Sequence, residues 1–163
     1  MSLISNLPSG GSVSEKHTNR EMKFDYKEGL NGETEVLSLT GKGRLYSCWL
    51  RDTFVGTHDV KLQIVVDGKT ILNVASENNT SNSKTKHITV GNIGMLSPSE
   101  INGSSVSPKL VGLSADLQTV STGTENNVWV LLEDYISFNE SLVITVVTVS
   151  TNGVCSTIYS LDN

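Results

Sequence analysis

The residues best able to do chemistry here are few: His17, His58, His87, Cys48 and Cys155. No two histidines stand four apart, as a helical metal pair would require. His58 and Asp59 could join Asp52 around a metal only if the intervening segment folded back, and solvated residues around a turn are the expectation. Neither cysteine has a C-x-x-C partner, which excludes a zinc knuckle or a thioredoxin motif. A Cys48–Cys155 disulfide requires adjacent strands; two buried free thiols are the simpler expectation. Glu133 and Asp134 are neighbours and would point to opposite faces of a strand, and Glu140 lies before the last long apolar run. No two carboxylates take the separation a glycosidase needs. Gly41-Lys42-Gly43 lacks the third glycine of a dinucleotide loop and precedes a strand. In Gly112-Leu113-Ser114-Ala115-Asp116 an aspartate replaces the second glycine of a nucleophile elbow. We therefore expect no catalytic, metal or cofactor-binding residues and no enzymatic activity; a small esterase or glycosidase is the alternative without a motif.

The aromatic residues suggest binding instead. Trp49, Trp129, Tyr46 and Tyr135 can form a sugar-stacking platform, because an aromatic face suits the apolar face of a pyranose. Trp49, however, lies within Leu45–Leu50 and Trp129 within Val128–Leu132, contexts that favour core or interface positions. Trp49, Trp129 and Tyr135 thus form a candidate glycan-stacking set beside the core reading.

The elements that must position these residues are strands. The chain has 163 residues, 18% of them charged and 37% hydrophobic, with a net charge of -5. Ser, Thr and Asn make up about a third of it, residues suited to turns and strand surfaces. The acidic balance argues against a nucleic-acid partner. No apolar run approaches the ~18 residues of a membrane span, and the N-terminus lacks the basic and apolar regions of a signal peptide. Residues 1–20, with Ser9-Gly10-Gly11-Ser12, read as a flexible arm, and residues 21–163 as one β-domain.

Val60–Val66 alternates with period 2 and is followed by Asp67-Gly68 and a second apolar run, the pattern of a two-residue hairpin. Asn152-Gly153 predicts another hairpin between Leu142–Ser150 and Val154–Tyr159, and Asn31-Gly32 a weaker one. Further strands are expected at Arg44–Phe54, Leu110–Gln118 and Val128–Glu133, with short pieces at Lys86–Val90 and Tyr135–Phe138. No stripe of helical period is long enough for a helix. Eight to ten strands of this kind predict an all-β antiparallel sandwich, jelly-roll-like in character. Leu142–Val149 is apolar on both faces, so a central strand is expected, its second face covered by a subunit or by a loop. The polar segments 77–84 and 97–108 are loop candidates able to carry a binding surface.

Three segments recur in a recognisable order. Gly41-x-Gly43-x-Leu45 opens a strand, Val65-Val66-Asp67-Gly68-Lys69-Thr70-Ile71 forms a hairpin, and Tyr135-Ile136-x-Phe138-x-x-Ser141-Leu142-x-Ile144 follows near the end. Over residues 35 to 150 this order resembles small tail-tip and baseplate-associated virion proteins of tailed bacteriophages infecting Gram-positive bacteria. It is similar to the β-sandwich shoulder domains of phage receptor-binding proteins. The resemblance implies a non-enzymatic structural or adsorption role. The implied partners are other tail or baseplate proteins, further copies of the chain (a trimer among the options) and a host surface glycan. The implied location is the virion tail, after synthesis in the host cytoplasm. The acidic charge disfavours direct contact with anionic wall polymers.

Overall fold

In the computed structural model, the residues described are 20–53, 60–76, 85–91, 109–111 and 127–162. They form strands β1 (Met22–Thr40), β2 (Gly43–Thr53), β3 (Val60–Val66), β4 (Lys69–Ser76), β5 (Thr85–Gly91), β6 (Lys109–Val111), β7 (Asn127–Leu131), β8 (Ile136–Phe138) and β9 (Ser141–Leu161). The structure is all-β. One curled sheet runs β4-β3-β9-β2-β5-β7-β6, with β1 also on β9 and β8 also on β2. Its pairs are antiparallel except β5–β7 and β6–β7, which are parallel. The arm at residues 1–19, the loops 77–84 and 97–108, and the segment beyond Val111 that includes Ser114 lie outside the described residues.

Period-2 burial follows the sequence closely where one face is apolar. Val60, Leu62 and Ile64 of β3 point inward with Leu72 and Val74 of β4, Leu45, Cys48 and Leu50 of β2, and Ile88 and Val90 of β5. Leu142, Ile144 and Val146 of β9 complete the centre, all fully buried. β9 is the organising strand, as its apolar run predicts. One edge pairs with β1 along its length, and the other pairs first with β3 and then with β2. On its second face Val143 and Val147 are half-buried and Val149 is exposed.

The Asp67–Gly68 hairpin forms as expected, with φ of 50° and 77° at the two turn residues. Positive φ at both is what a type I′ turn requires and what glycine adopts without strain. Asp67 does more than turn the chain. Its carboxylate accepts the backbone N–H groups of Asn139, Glu140 and Ser141, at 2.8–3.1 Å. Those bonds hold its pKa below the ordinary 3.8. Gly43 pairs with Phe138, and Val66 with Leu142. The three sequence segments quoted above, far apart in the chain, therefore meet in one corner of the sheet.

The Asn152-Gly153 hairpin does not form, and Asn152 and Gly153 have to be reassigned. Both lie inside β9, and neither has positive φ. Gly153 serves a close approach instead: a Cβ there would stand 2.7 Å from the Leu30 carbonyl oxygen and 2.8 Å from the Thr148 methyl. Asn31-Gly32 likewise lies within continuous β1, where the register with β9 shifts. Leu30 pairs with Gly153 and Gly32 with Thr148, so residues 149–152 of β9 bulge opposite a single β1 residue. A bulge of this kind bends a strand without reversing it, and local turn chemistry alone does not distinguish the two outcomes.

Cys48 and Cys155 lie on adjacent strands, buried, with sulfurs 3.9 Å apart as free thiols. The contact with Cys155 and burial push the Cys48 thiol well above its ordinary range. Neither cysteine is expected to react with a thiol reagent in the native protein, and both should react in denaturant; timed labelling with Ellman's reagent measures this.

Candidate functional site

The β9 bulge makes a concavity among the described residues. Asp52, fully buried on β2, accepts the Val149 N–H at 3.0 Å and the Ser150 hydroxyl. Asn152 donates from its side-chain amide to the Thr53 carbonyl at 3.1 Å. These bonds turn Thr151 and Asn152 outward. They form one wall of a groove of about 680 Å³, with Tyr26, Glu28 and Gly29 of β1 opposite and Arg51, Thr53 and Val154 between. One cationic and one anionic side chain line it, together with an amide and a phenol. Such a mixture suits a polar, hydroxyl-bearing ligand better than a multiply charged one.

Arg51 also meets Trp49, two residues earlier on β2. Its guanidinium lies 5.5 Å from the Trp49 ring, and the His87 ring lies 6.1 Å from it at 37°. Trp49 and His87 are half-buried. Among the described residues no acceptor reaches Trp49 Nε1 or Arg51 Nε. Burial, reinforced by the Arg51 charge, lowers the His87 pKa from 6.5 to about 4. Between those values the unfolded chain takes up a proton that the folded chain refuses. Stability is therefore full above pH 6.5 and falls as pH drops toward 4, by about 2–3 kcal/mol. Urea unfolding of wild type and His87→Gln across pH 4–7 should show this increment in wild type and its loss in the variant.

The sequence-derived aromatic set is divided by the fold. Tyr135 packs edge-on against Tyr46 with centroids 6.0 Å apart, and the Arg44 guanidinium covers it at 4.1 Å. Trp49 has its own partners, Arg51 and His87. The backbone register aligns Trp49 with Thr89 and Thr89 with Trp129. Trp49 and Tyr135 thus carry guanidinium groups on their rings, arrangements that stabilise a cation over an aromatic face.

Three of the exposed large apolar groups lie on one strand. Met22, Phe24 and Tyr26 of β1 are 54%, 67% and 47% exposed, a stripe that sequence reasoning passed over. Its signal is the alternation Met22-x-Phe24-x-Tyr26, which reads equally well as a buried face. Among the described residues β1 is paired only to β9, and the face that carries these three side chains is uncovered. Within the described residues no three His, Cys, Asp or Glu side chains are placed to hold a metal, and no helix is long and apolar enough to cross a membrane. Comparison with protein-family models, curated proteins and solved structures finds no match to this chain.

Proposed function

We propose that this chain is a non-enzymatic structural protein of a bacteriophage virion, at the tail tip or baseplate, working through protein–protein contacts. The observation that carries the contact role is the Met22, Phe24 and Tyr26 stripe, exposed on a strand whose outer edge has no partner among the described residues. An unpaired edge offers a row of backbone donors and acceptors, and an adjacent apolar stripe adds the area that a stable contact needs. The virion context comes from the sequence resemblance, whose three segments act here as scaffold: Gly43 against Phe138, and Asp67 clamping the turn before β9. In this reading the curled sheet is the larger part of a jelly-roll-like sandwich. Immunogold labelling of phage particles tests it. Label clustered at the tail end is the expected result, and unlabelled intact particles overturn the proposal.

The groove at the β9 bulge favours a second reading, recognition of a bacterial surface glycan. Tyr26, Arg51 and Asn152 supply a ring and hydrogen-bond donors around a space of sugar size. Calorimetric titration with cell-wall polysaccharide fragments tests it, with binding lost in Asn152→Ala as the expected result.

A further inference from the structure

We propose that the free edge of β1 pairs with β1 of a second copy of this chain, antiparallel, about a twofold axis at Phe24. The inference stands on β1 alone and does not depend on the virion reading. Among the described residues β1 has a neighbour on one side only. Its first part is held in place by the Arg20–Asp162 ion pair, 2.6 Å from Nε to Oδ1, so the strand is presented already extended. That leaves outward-facing backbone groups from the start of β1 to the register shift after Glu28.

The occupant follows from the order of side chains, Arg20-Glu21-Met22-Lys23-Phe24-Asp25-Tyr26-Lys27-Glu28. Set two copies antiparallel with Phe24 opposite itself. Lys23 then faces Asp25 of the second copy, Glu21 faces Lys27, and Arg20 faces Glu28. Met22 faces Tyr26. Every charged residue meets its opposite, and every apolar residue meets an apolar one. Directly opposed residues share a face in an antiparallel pair, so the exposed stripe continues unbroken from one copy into the other.

The neighbouring registers lack this property. Moving one step places Arg20 against Lys27 or Glu21 against Glu28, and it opposes Phe24 to a charged residue. Moving two steps places Lys23 against itself with Glu21 against Asp25, or Asp25 against itself with Lys23 against Lys27. Like charges directly opposite destabilise a strand pair. Edge charges commonly prevent sheet-to-sheet pairing; here their alternating sign disfavours the registers slipped by one or two steps. The twofold closes with two copies, so the pairing over residues 20–28 does not propagate into a longer array.

Sedimentation velocity of the full chain over about 1–100 µM, the range in which interfaces of modest area associate, tests the proposal. The expected result is a monomer–dimer equilibrium. Lys23→Glu places two like-charge contacts across the axis and should weaken association at least tenfold. The double variant Lys23→Glu/Asp25→Lys restores opposite charges and should recover the wild-type dimer. Lys23 is exposed and Asp25 half-buried, and circular dichroism checks that each variant folds. Phe24→Cys should give an oxidised disulfide dimer, because position 24 alone faces itself, whereas Lys23→Cys should not. A monomer at all concentrations, as when residues 1–19 or another protein cover the edge, overturns the proposal. So does a trimer, or a dimer indifferent to the charge swap.

Discussion

Replacing Asp52 with alanine is expected to lower the unfolding free energy by about 4 kcal/mol, the largest single-residue effect in the described structure. The carboxylate is wholly buried and accepts from two donors on the bulged part of β9, the Val149 N–H and the Ser150 hydroxyl. Hydrogen bonds to a charged acceptor contribute about 1.5–3 kcal/mol each, and removing the acceptor leaves both donors away from water. Asp52 also pairs in register with Lys86, equally buried on β5, so its loss removes the carboxylate that stands opposite Lys86 in the core. Typical domains have only about 5–15 kcal/mol in total, so this variant should be close to unfolded at physiological temperature. Asp52→Asn keeps one acceptor oxygen and should lose about half as much. Urea denaturation followed by circular dichroism measures both. A further consequence is local: the groove wall loses the Asp52 clamp on Val149 and Ser150 and keeps only the Asn152 bond to the Thr53 carbonyl. Any ligand affinity of that groove should therefore fall in Asp52→Asn even where the fold survives.

The second large effect is expected at Gly43, where alanine should cost about 3 kcal/mol or more. Gly43 lies where β2 is flanked by β8 on one side and by the end of β9 on the other, pairing with both Phe138 and Leu161. An added Cβ would fall well inside contact distance of the Ser160 carbonyl oxygen and the Phe138 ring. The ring belongs to the fully packed core, and the carbonyl to the backbone of the central strand, so neither can yield cheaply. Gly43→Ala should lower the thermal midpoint by several degrees. Phe138→Leu should recover part of that loss when combined with it, because it removes ring atoms from the point of collision. Thermal melts of the two single variants and the double variant give the coupling. A glycine that looks like a loop signal in the sequence is thus a packing requirement of the sheet.

These two residues mark the division between what the chain announces and what the fold imposes. All-β character, the period-2 faces of β3 and β9 and the Asp67–Gly68 turn are local properties. Side-chain alternation and the φ preference of two turn residues are enough to set them. Asn152-Gly153 carries the same local signal as Asp67-Gly68, yet it lies inside β9. The difference is that β1 runs along β9 on both sides of the bulge, and Asp52 and Thr53 bind the bulged residues from β2. Those contacts span about a hundred residues and outweigh a turn preference worth about a kilocalorie. The site follows the same rule. Trp49 and Tyr135 were legible as aromatic candidates, but only the tertiary structure placed Arg51 and Arg44 against their rings. Burial of Phe24 and Tyr26 would follow from their pattern if a second layer covered their face of β1. Which strand ends a sheet is a property of topology, and a single sequence does not encode it through local preference.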